Sequence, residues 1–129
     1  MTSLNNFQDI LLVSIGAVFG ANSRFIIYQK LKEININENF IILLINISSS
    51  FLLGLFISVF SKLVFFNFSS QIVLFFLIGF LGSLSTFSTF VYDLFDSFIK
   101  LKFFRALKLF ALSFSLGIIA VALGALVGN

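Results

Sequence analysis

Residues 79–90 read Gly-Phe-Leu-Gly-Ser-Leu-Ser-Thr-Phe-Ser-Thr-Phe, inside an uncharged stretch that runs from residue 63 to residue 92. A stretch this long predicts a membrane span, since a helix needs about 20 apolar residues to cross a bilayer. Its middle, however, is rich in hydroxyl side chains and in glycine, which weakens a helix. Irregular backbone at membrane depth is tolerated only where protein or a water-filled cavity surrounds it. The stretch therefore predicts a helix that is broken at its middle and lines a path or cavity.

The composition is that of a membrane protein. Of the 129 residues, 60% are hydrophobic and 10% are charged, whereas soluble domains carry about 25% charged residues. We expect residues 1–129 to form a single transmembrane domain, with no room for a soluble catalytic domain and no enzymatic activity. The chain has no cysteine or histidine, which excludes thiolate chemistry, disulfides and the usual zinc sites. A net charge of +3 is too small to indicate nucleic-acid binding.

Charged residues divide the chain into four hydrophobic segments, each long enough to span a bilayer. The segments are residues 7–28, 40–61, 70–98 and 106–127. The connectors 29–39, 62–69 and 99–105 are short and poor in proline and glycine, so they do not indicate a domain linker. The sequence predicts an all-α integral membrane protein with four transmembrane helices.

Positive charge is distributed unevenly between the two ends of these segments. Lys62 is the one Lys or Arg at the end that also holds both termini, and the other seven lie at the opposite end: Arg24, Lys30, Lys32, Lys100, Lys102, Arg105 and Lys108. Positive residues in short loops favour the cytoplasm. We therefore predict that both termini lie outside the cytoplasm. If Arg24 and Lys108 are intramembrane and are not counted, the bias is still five to one.

Phe87 and Phe90 are three residues apart and share one helical face. An aromatic ring has a positive edge and a negative face, so ring edges can meet an anion and ring faces a cation. The pair can also be fortuitous, because the chain contains 21 phenylalanines. The hydroxyls of Thr86, Ser88 and Thr89 around the pair favour a functional interpretation.

Two polar residues in the first two spans each have two interpretations. Asn46 is the one amide of the second span and lies near its middle. It can hydrogen-bond between helices, which its spacing alone favours, or it can donate to an ion that passes. Arg24 can extend to the membrane surface, which is the simpler interpretation, or it can give a vestibule a potential that attracts anions.

Glycines recur at a fixed spacing in the first and fourth spans. Gly16 with Gly20, and Gly124 with Gly128, are spaced as in the small-xxx-small faces that pack membrane helices together.

Asp93 and Asp96 fall near the end of the third span, and no carboxylate lies deep in any span. That argues against a proton-coupled carrier, which needs an intramembrane acid.

Three motifs occur in order in the first three spans. The first comprises Gly16, Gly20, Ala21, Arg24 and Phe25; the second comprises Asn46 and residues 50–54; the third is the stretch 79–90. They resemble the GxxxGAxxR-aromatic, VNxxGSFLLG and GFxGGLTTFSTF signatures of the CrcB/Fluc fluoride channels. The third motif is highly specific, and the resemblance covers all four spans in length and layout.

The resemblance implies a passive, fluoride-selective channel of the bacterial inner membrane that lowers cytoplasmic fluoride. It also implies an antiparallel dimer with two pores at the subunit interface. By the motif match, Phe87 and Phe90 offer ring edges to the ion, Asn46 donates a hydrogen bond, and Ser88 and Thr89 add polar contacts. A structural Na⁺, which is not transported, is implied at main-chain carbonyls that correspond to Gly82 and Ser85.

The chain departs from the family pattern at several positions. Ser49 and Ser83 stand where the family has glycine, so they threaten close backbone approach. Asp93 replaces a usual Glu, and Ser85 replaces a usual Thr. None of these departures removes Asn46 or the phenylalanine pair.

The charge bias bears on the dimer. An antiparallel homodimer requires one sequence to insert in both orientations, so its loops need nearly balanced positive charge. A seven-to-one bias therefore predicts a paralogous partner with the opposite bias, although pairing with itself stays open.

Two other functions are compatible with four short spans. A small multidrug-type exporter would need a deep acid in the first span, and residues 10–23 contain none. A non-conducting membrane subunit that pairs with a paralogue would explain the glycine faces but not the third motif.

Overall fold

The computed structural model describes residues 3–62, 69–85 and 87–129, and the side chains of these ranges apart from residues 3–5, 69 and 88. The described chain is helical. The α-helices are α1 (Ser3–Glu33), α2 (Glu38–Lys62), α3 (Ser69–Ile72), α4 (Gly82–Leu84), α5 (Phe87–Ile99) and α6 (Phe103–Gly128). A π-helix, Val73–Leu81, connects α3 to α4.

The four predicted spans are confirmed. Four stretches, Asn6–Glu33, Glu38–Lys62, Ser70–Ile99 and Phe103–Gly128, are long and apolar enough to cross a membrane. The helices continue beyond the predicted ends, so that the connectors around residues 34–37 and 100–102 are shorter than expected. The extension is largest in α1, which continues to Glu33 and has Lys30 and Lys32, both good helix formers, in its last turn. Most of the connector 62–69 lies outside the described residues.

The spans pack as two parallel pairs. One pair is α1 with the third span, where Gly16 lies against Phe75, Gly79 and Phe80. The other pair is α2 with α6, where Gly124 lies against the Phe51 carbonyl. Both predicted small-xxx-small motifs are therefore confirmed as packing faces, since they let two backbones touch.

Ser83 does not obstruct the approach that its glycine counterpart would permit. Its hydroxyl donates to the Ala17 carbonyl of α1 at 2.8 Å. Space for the hydroxyl comes from Gly20, since a Cβ at Gly20 would overlap the Ser83 oxygen. The serine therefore adds a hydrogen bond between the two helices instead of separating them.

The backbone of the third span is π-helical through Gly79 and leaves the helical region at Ser85. Ser85 has φ −72° and ψ 144°, an extended conformation, whereas Gly82 is helical with φ −61° and ψ −34°. Gly79 is held in the π-helix, and a Cβ there would lie 2.6 Å from the Val13 carbonyl. The glycine at position 79 therefore serves close packing on α1.

Lys62 closes one end of the α2–α6 pair. Its Nζ atom donates to the main-chain oxygen of Gly128 at 2.8 Å, and the Ser58 hydroxyl donates to the Asn129 side chain at 3.1 Å. Lysine near a helix C-terminus satisfies carbonyls that have no helical partner. The prediction that Lys62 lies at the end of the bundle where α6 ends is confirmed.

The turn between α5 and α6 contains a leucine in the left-handed region. Leu101 has φ 55°, and the backbone N–H of Lys102 donates to the Ser97 carbonyl at 2.9 Å. This is the hydrogen bond of a Schellman motif, in which the left-handed residue is usually glycine. A side chain in this conformation costs about 1–2 kcal/mol.

Leu101→Gly is therefore expected to stabilise the protein by about 1 kcal/mol. Leu101 is 75% exposed, so little packing is lost. Unfolding in an SDS titration, followed by circular dichroism, measures the change. The matched control is Leu107→Gly within α6, which is expected to lose about 1 kcal/mol; equal losses in both variants would contradict the strain at position 101.

Candidate functional site

An open groove of about 410 Å³ brings together polar and aromatic side chains from α2, α5 and α6 and the end of α4. The residues that line it are Asn46, Ser50, Ser85, Phe87, Phe90, Phe110, Ser113 and Phe114. We call it the central groove. It brings Asn46 of the second motif together with Phe87 and Phe90 of the third.

Aromatic rings form a continuous row along the central groove. The Phe87 and Phe90 ring centroids are 6.5 Å apart, and Phe90 and Phe110 are 6.4 Å apart. Phe110 then stacks on Phe114 at 6.0 Å. Phe87, at the end of the row, is 78% exposed. The row can present positive ring edges to an anion in the groove.

Polar side chains come from the helices on either side. Asn46 and Ser50 lie one turn apart on α2, and Ser113 lies on α6. Amide N–H and hydroxyl groups donate hydrogen bonds, so they complement the ring edges around a small anion. The neighbouring Ser49 is instead 4% exposed and donates to the Ile45 carbonyl at 2.8 Å, as expected for a helical serine that bonds to its own helix.

The sequence motifs account for only part of this site. Ser50 falls within the second motif, whereas Ser113, Phe110 and Phe114 belong to none of the three. One signal was available, because Ser113 and Ser115 are the only hydroxyl side chains of the fourth span in the sequence. The two phenylalanines carried no signal among 21 of their kind.

Thr89 and Arg24 lie in a different place. A second groove of about 240 Å³ is lined by Arg24, Phe25, Tyr28, Ile42, Ile45 and Thr89. The structure therefore does not place Thr89 in the central groove with Asn46 and Phe90. It brings Thr89 together with Arg24, which is half-buried. Thr86 and the side chain of Ser88 lie outside the described residues.

A small cavity of about 140 Å³ adjoins Gly82 and Ser85, the positions where the sequence suggests a structural Na⁺. The helix ends at Leu84, and Ser85 is extended, with its backbone N–H donating to the Leu81 carbonyl at 3.1 Å. A Cβ on Gly82 would meet nothing closer than the Leu77 carbonyl at 4.0 Å. Carbonyl oxygens are ligands that a hard cation prefers, and both Gly82 and Ser85 line this cavity.

The arrangement has clear relatives. The model of the CrcB-like protein, Camphor Resistance (CrcB) family matches residues 11–125. A protein of Prochlorococcus marinus strain NATL2A, named "Fluoride-specific ion channel FluC 2", is 58% identical over 95% of this chain and 98% of the relative. The protein of Thermosipho melanesiensis named "Fluoride-specific ion channel FluC" is 35% identical over 95% of this chain and 97% of its own. The chain therefore belongs to the CrcB family and, with its four spans, is a multi-pass membrane protein.

Proposed function

We propose that this chain is a subunit of a fluoride-selective channel that releases fluoride passively from the cytoplasm, and that it is not an enzyme. The observation that carries the proposal is the central groove, in which an amide, hydroxyls and a row of aromatic rings converge at membrane depth. The names of the relatives, fluoride-specific ion channels, support the same ion.

The chemistry of the groove suits fluoride. A small, strongly hydrated anion loses many water hydrogen bonds on entering a pore, and the pore must replace them. Asn46, Ser50 and Ser113 supply donors, and Phe87 and Phe90 supply ring edges. A fixed cation at the same place would hold the ion too tightly for rapid exit. The Arg24 groove, which also contains Thr89, serves as a vestibule whose positive potential attracts the anion.

The exposure of the groove supports a dimer. Polar side chains that face lipid are costly, and the central groove opens at the surface of the single subunit, with Phe87 largely exposed. A second subunit that covers the groove converts it into a closed path. By resemblance to the family, the partner is antiparallel, which gives two pores.

The proposed channel also includes a break in the third span and a structural Na⁺ at that break. We infer that the span is broken at its middle, which the extended Ser85 between Leu84 and Phe87 supports. The carbonyls of Gly82 and Ser85 would hold a structural Na⁺ there, near the place where two subunits meet. The ion supplies fixed positive charge and is not transported.

The charge bias supports a fixed orientation and a paralogous partner. Lys62 lies with the end of α6, and the other seven basic residues gather at the opposite end, which we place in the cytoplasm. Relatives in strains of Prochlorococcus marinus are numbered both FluC 1 and FluC 2. We propose that the natural dimer pairs this chain with an oppositely oriented paralogue.

Fluoride efflux from liposomes that contain only this protein tests the proposal. A fluoride electrode follows release in Na⁺ buffer, and a chloride electrode provides the selectivity control. Rapid release of fluoride without chloride is expected from a competent self-paired channel. If folded protein releases nothing, co-reconstitution with an oppositely biased paralogue must restore release, or the channel proposal fails.

Phe87→Ala with Phe90→Ala is expected to slow fluoride efflux by about tenfold or more, if each ring edge stabilises the anion by about as much as it would stabilise a second ring, about 0.5–1.5 kcal/mol. The same liposome assay measures the change. The control is Phe95→Ala with Phe104→Ala, two exposed rings outside the central groove. Equal slowing in both double variants would show that the rings matter only for packing.

A further inference from the structure

The Arg24 groove, the second groove described above, contains a positive charge that no carboxylate neutralises. The ion pairs of the described residues do not include Arg24. Tyr28 and Thr89 also line the groove, and their hydroxyls can donate hydrogen bonds. The volume of about 240 Å³ is that of several water molecules, which occupy about 30 Å³ each in the liquid. The groove is therefore large enough for a tetrahedral oxyanion as well as for a halide.

A second basic residue lies at the edge of this groove. Arg24, Tyr28 and Lys32 follow one another at intervals of four residues on α1, so their side chains share one face of the helix. A long side chain points back toward the N-terminus of its helix, and Lys32 Nζ lies 5.7 Å from the centre of the Tyr28 ring. Because Tyr28 lines the groove, the Lys32 ammonium lies next to one of its walls.

Glu38 pairs with this second positive charge. Its Oε1 atom lies 2.8 Å from Lys32 Nζ. The turn of residues 34–37 joins α1 to α2, so the lysine is in the last turn of one helix and the glutamate in the first turn of the next. Both positions suit the charges, because they complement the helix dipoles. The two side chains are 53% and 57% exposed, so the pair adds little to stability.

We propose that Glu38 excludes divalent oxyanions from the Arg24 groove and so keeps the groove for small monovalent anions. Arg24 and an unpaired Lys32 would together attract a dianion such as phosphate or sulfate, which would obstruct the entrance. With Glu38 in place the two charges at the edge cancel, and its carboxylate repels a dianion twice as strongly as a monovalent anion. The role in selectivity rests on the proposed fluoride channel, whereas anion binding at Arg24 can be measured without conduction.

The Nε–H resonance of Arg24 can report on the groove, because the chain has only two arginines, Arg24 and Arg105. The protein is labelled with ¹⁵N-arginine, held in detergent micelles and titrated with sulfate. Methyl sulfate is titrated in parallel, since it has a similar headgroup and a single charge. Arg105→Lys identifies the Arg24 resonance, and the shift of that resonance gives the dissociation constant of each anion.

Glu38→Gln is expected to tighten the binding of sulfate about fivefold and of methyl sulfate about twofold, since the interaction energy scales with the charge of the anion. Lys32→Gln with Glu38→Gln should restore both constants, because it removes the pair without changing the net charge. The matched control is Asp96→Asn, which frees Lys100 of the other exposed pair and should change neither constant. In liposomes, sulfate should slow fluoride efflux through Glu38→Gln at concentrations that leave the wild type unaffected.

Two outcomes would overturn the proposal. One is a sulfate affinity that is unchanged in Glu38→Gln, or that rises equally in Asp96→Asn. The other is fluoride efflux through Glu38→Gln that sulfate does not slow although it binds at Arg24, which would remove the role in selectivity. If the channel conducts no fluoride at all, the proposed function fails, and the titration still decides whether Glu38 controls anion binding at Arg24.

Discussion

Asn46→Asp is expected to reduce fluoride efflux about a thousandfold. The residue lines the central groove beside Ser50 and the phenylalanine row, so a carboxylate there would meet the anion directly. Two like charges 4 Å apart repel by about 4 kcal/mol at an effective dielectric constant of 20, and this energy corresponds to about three orders of magnitude in rate. Liposome efflux, with the amount of reconstituted protein quantified, measures the loss.

The control for this substitution is Asn22→Asp. Asn22 is exposed on α1 and donates to the Val18 carbonyl at 2.9 Å, outside the central groove. It receives the same chemical change within a span, and we expect it to retain most of the wild-type rate. Asn46→Gln, which keeps the amide, should fall between the two. Wild-type efflux from Asn46→Asp would place the ion path elsewhere.

The spans and their packing faces could be predicted because hydropathy and small-residue spacing are local signals. Each span is a run of apolar residues between charges, and Gly16 with Gly20 are one turn apart on α1. In the structure these glycines meet the backbone of the third span. The sequence does not say which helix receives which glycine face, since that depends on contacts between distant residues.

The sequence predicts a broken third span but does not fix the residue at which the backbone leaves the helix, because glycines and hydroxyl residues are mixed across residues 79–90. Glycine is the weakest helix former after proline, so propensity alone favours a break at Gly79 or Gly82. In the structure, packing against α1 keeps Gly79 helical, and the extended residue is Ser85. Tertiary contacts therefore override the local preference, and the glycines serve close approach.

The side chains of the site were predicted where one motif carried them and missed where the site joins several helices. Phe87 and Phe90 share a face of α5, and both line the central groove. Thr89 is next to Phe90 in sequence, but successive residues of a helix differ by about 100°, and its side chain lies in the Arg24 groove. Ser113 and Phe110 reach the central groove from α6. This helix is distant in sequence from the second motif and follows the third, so no single motif contains all the residues of the site.

Gly124→Ala is expected to destabilise the protein by about 3 kcal/mol or more, because α2 and α6 touch backbone to backbone at this position. A Cβ on Gly124 would overlap the Phe51 carbonyl and lie 2.9 Å from the Leu55 amide nitrogen. Gly54 meets Val121 in the same way, so neither helix can move aside without losing the second contact. Overpacking a well-filled interface costs about 1–3 kcal/mol, and backbone atoms yield less readily than side chains.

Gly117→Ala provides the matched control, because the same methyl group is added to the same helix where there is space. Its Cβ would meet nothing closer than the Ser50 hydroxyl oxygen at 3.7 Å. Since alanine favours a helix by about 0.5–1 kcal/mol over glycine, this variant should be unchanged or slightly more stable in an SDS titration. Opposite signs for the two substitutions would identify the α2–α6 contact as the packing that holds Asn46 of α2 opposite Ser113 of α6. Equal and small effects would mean that the two helices can separate without loss, and the central groove would then lack a fixed shape.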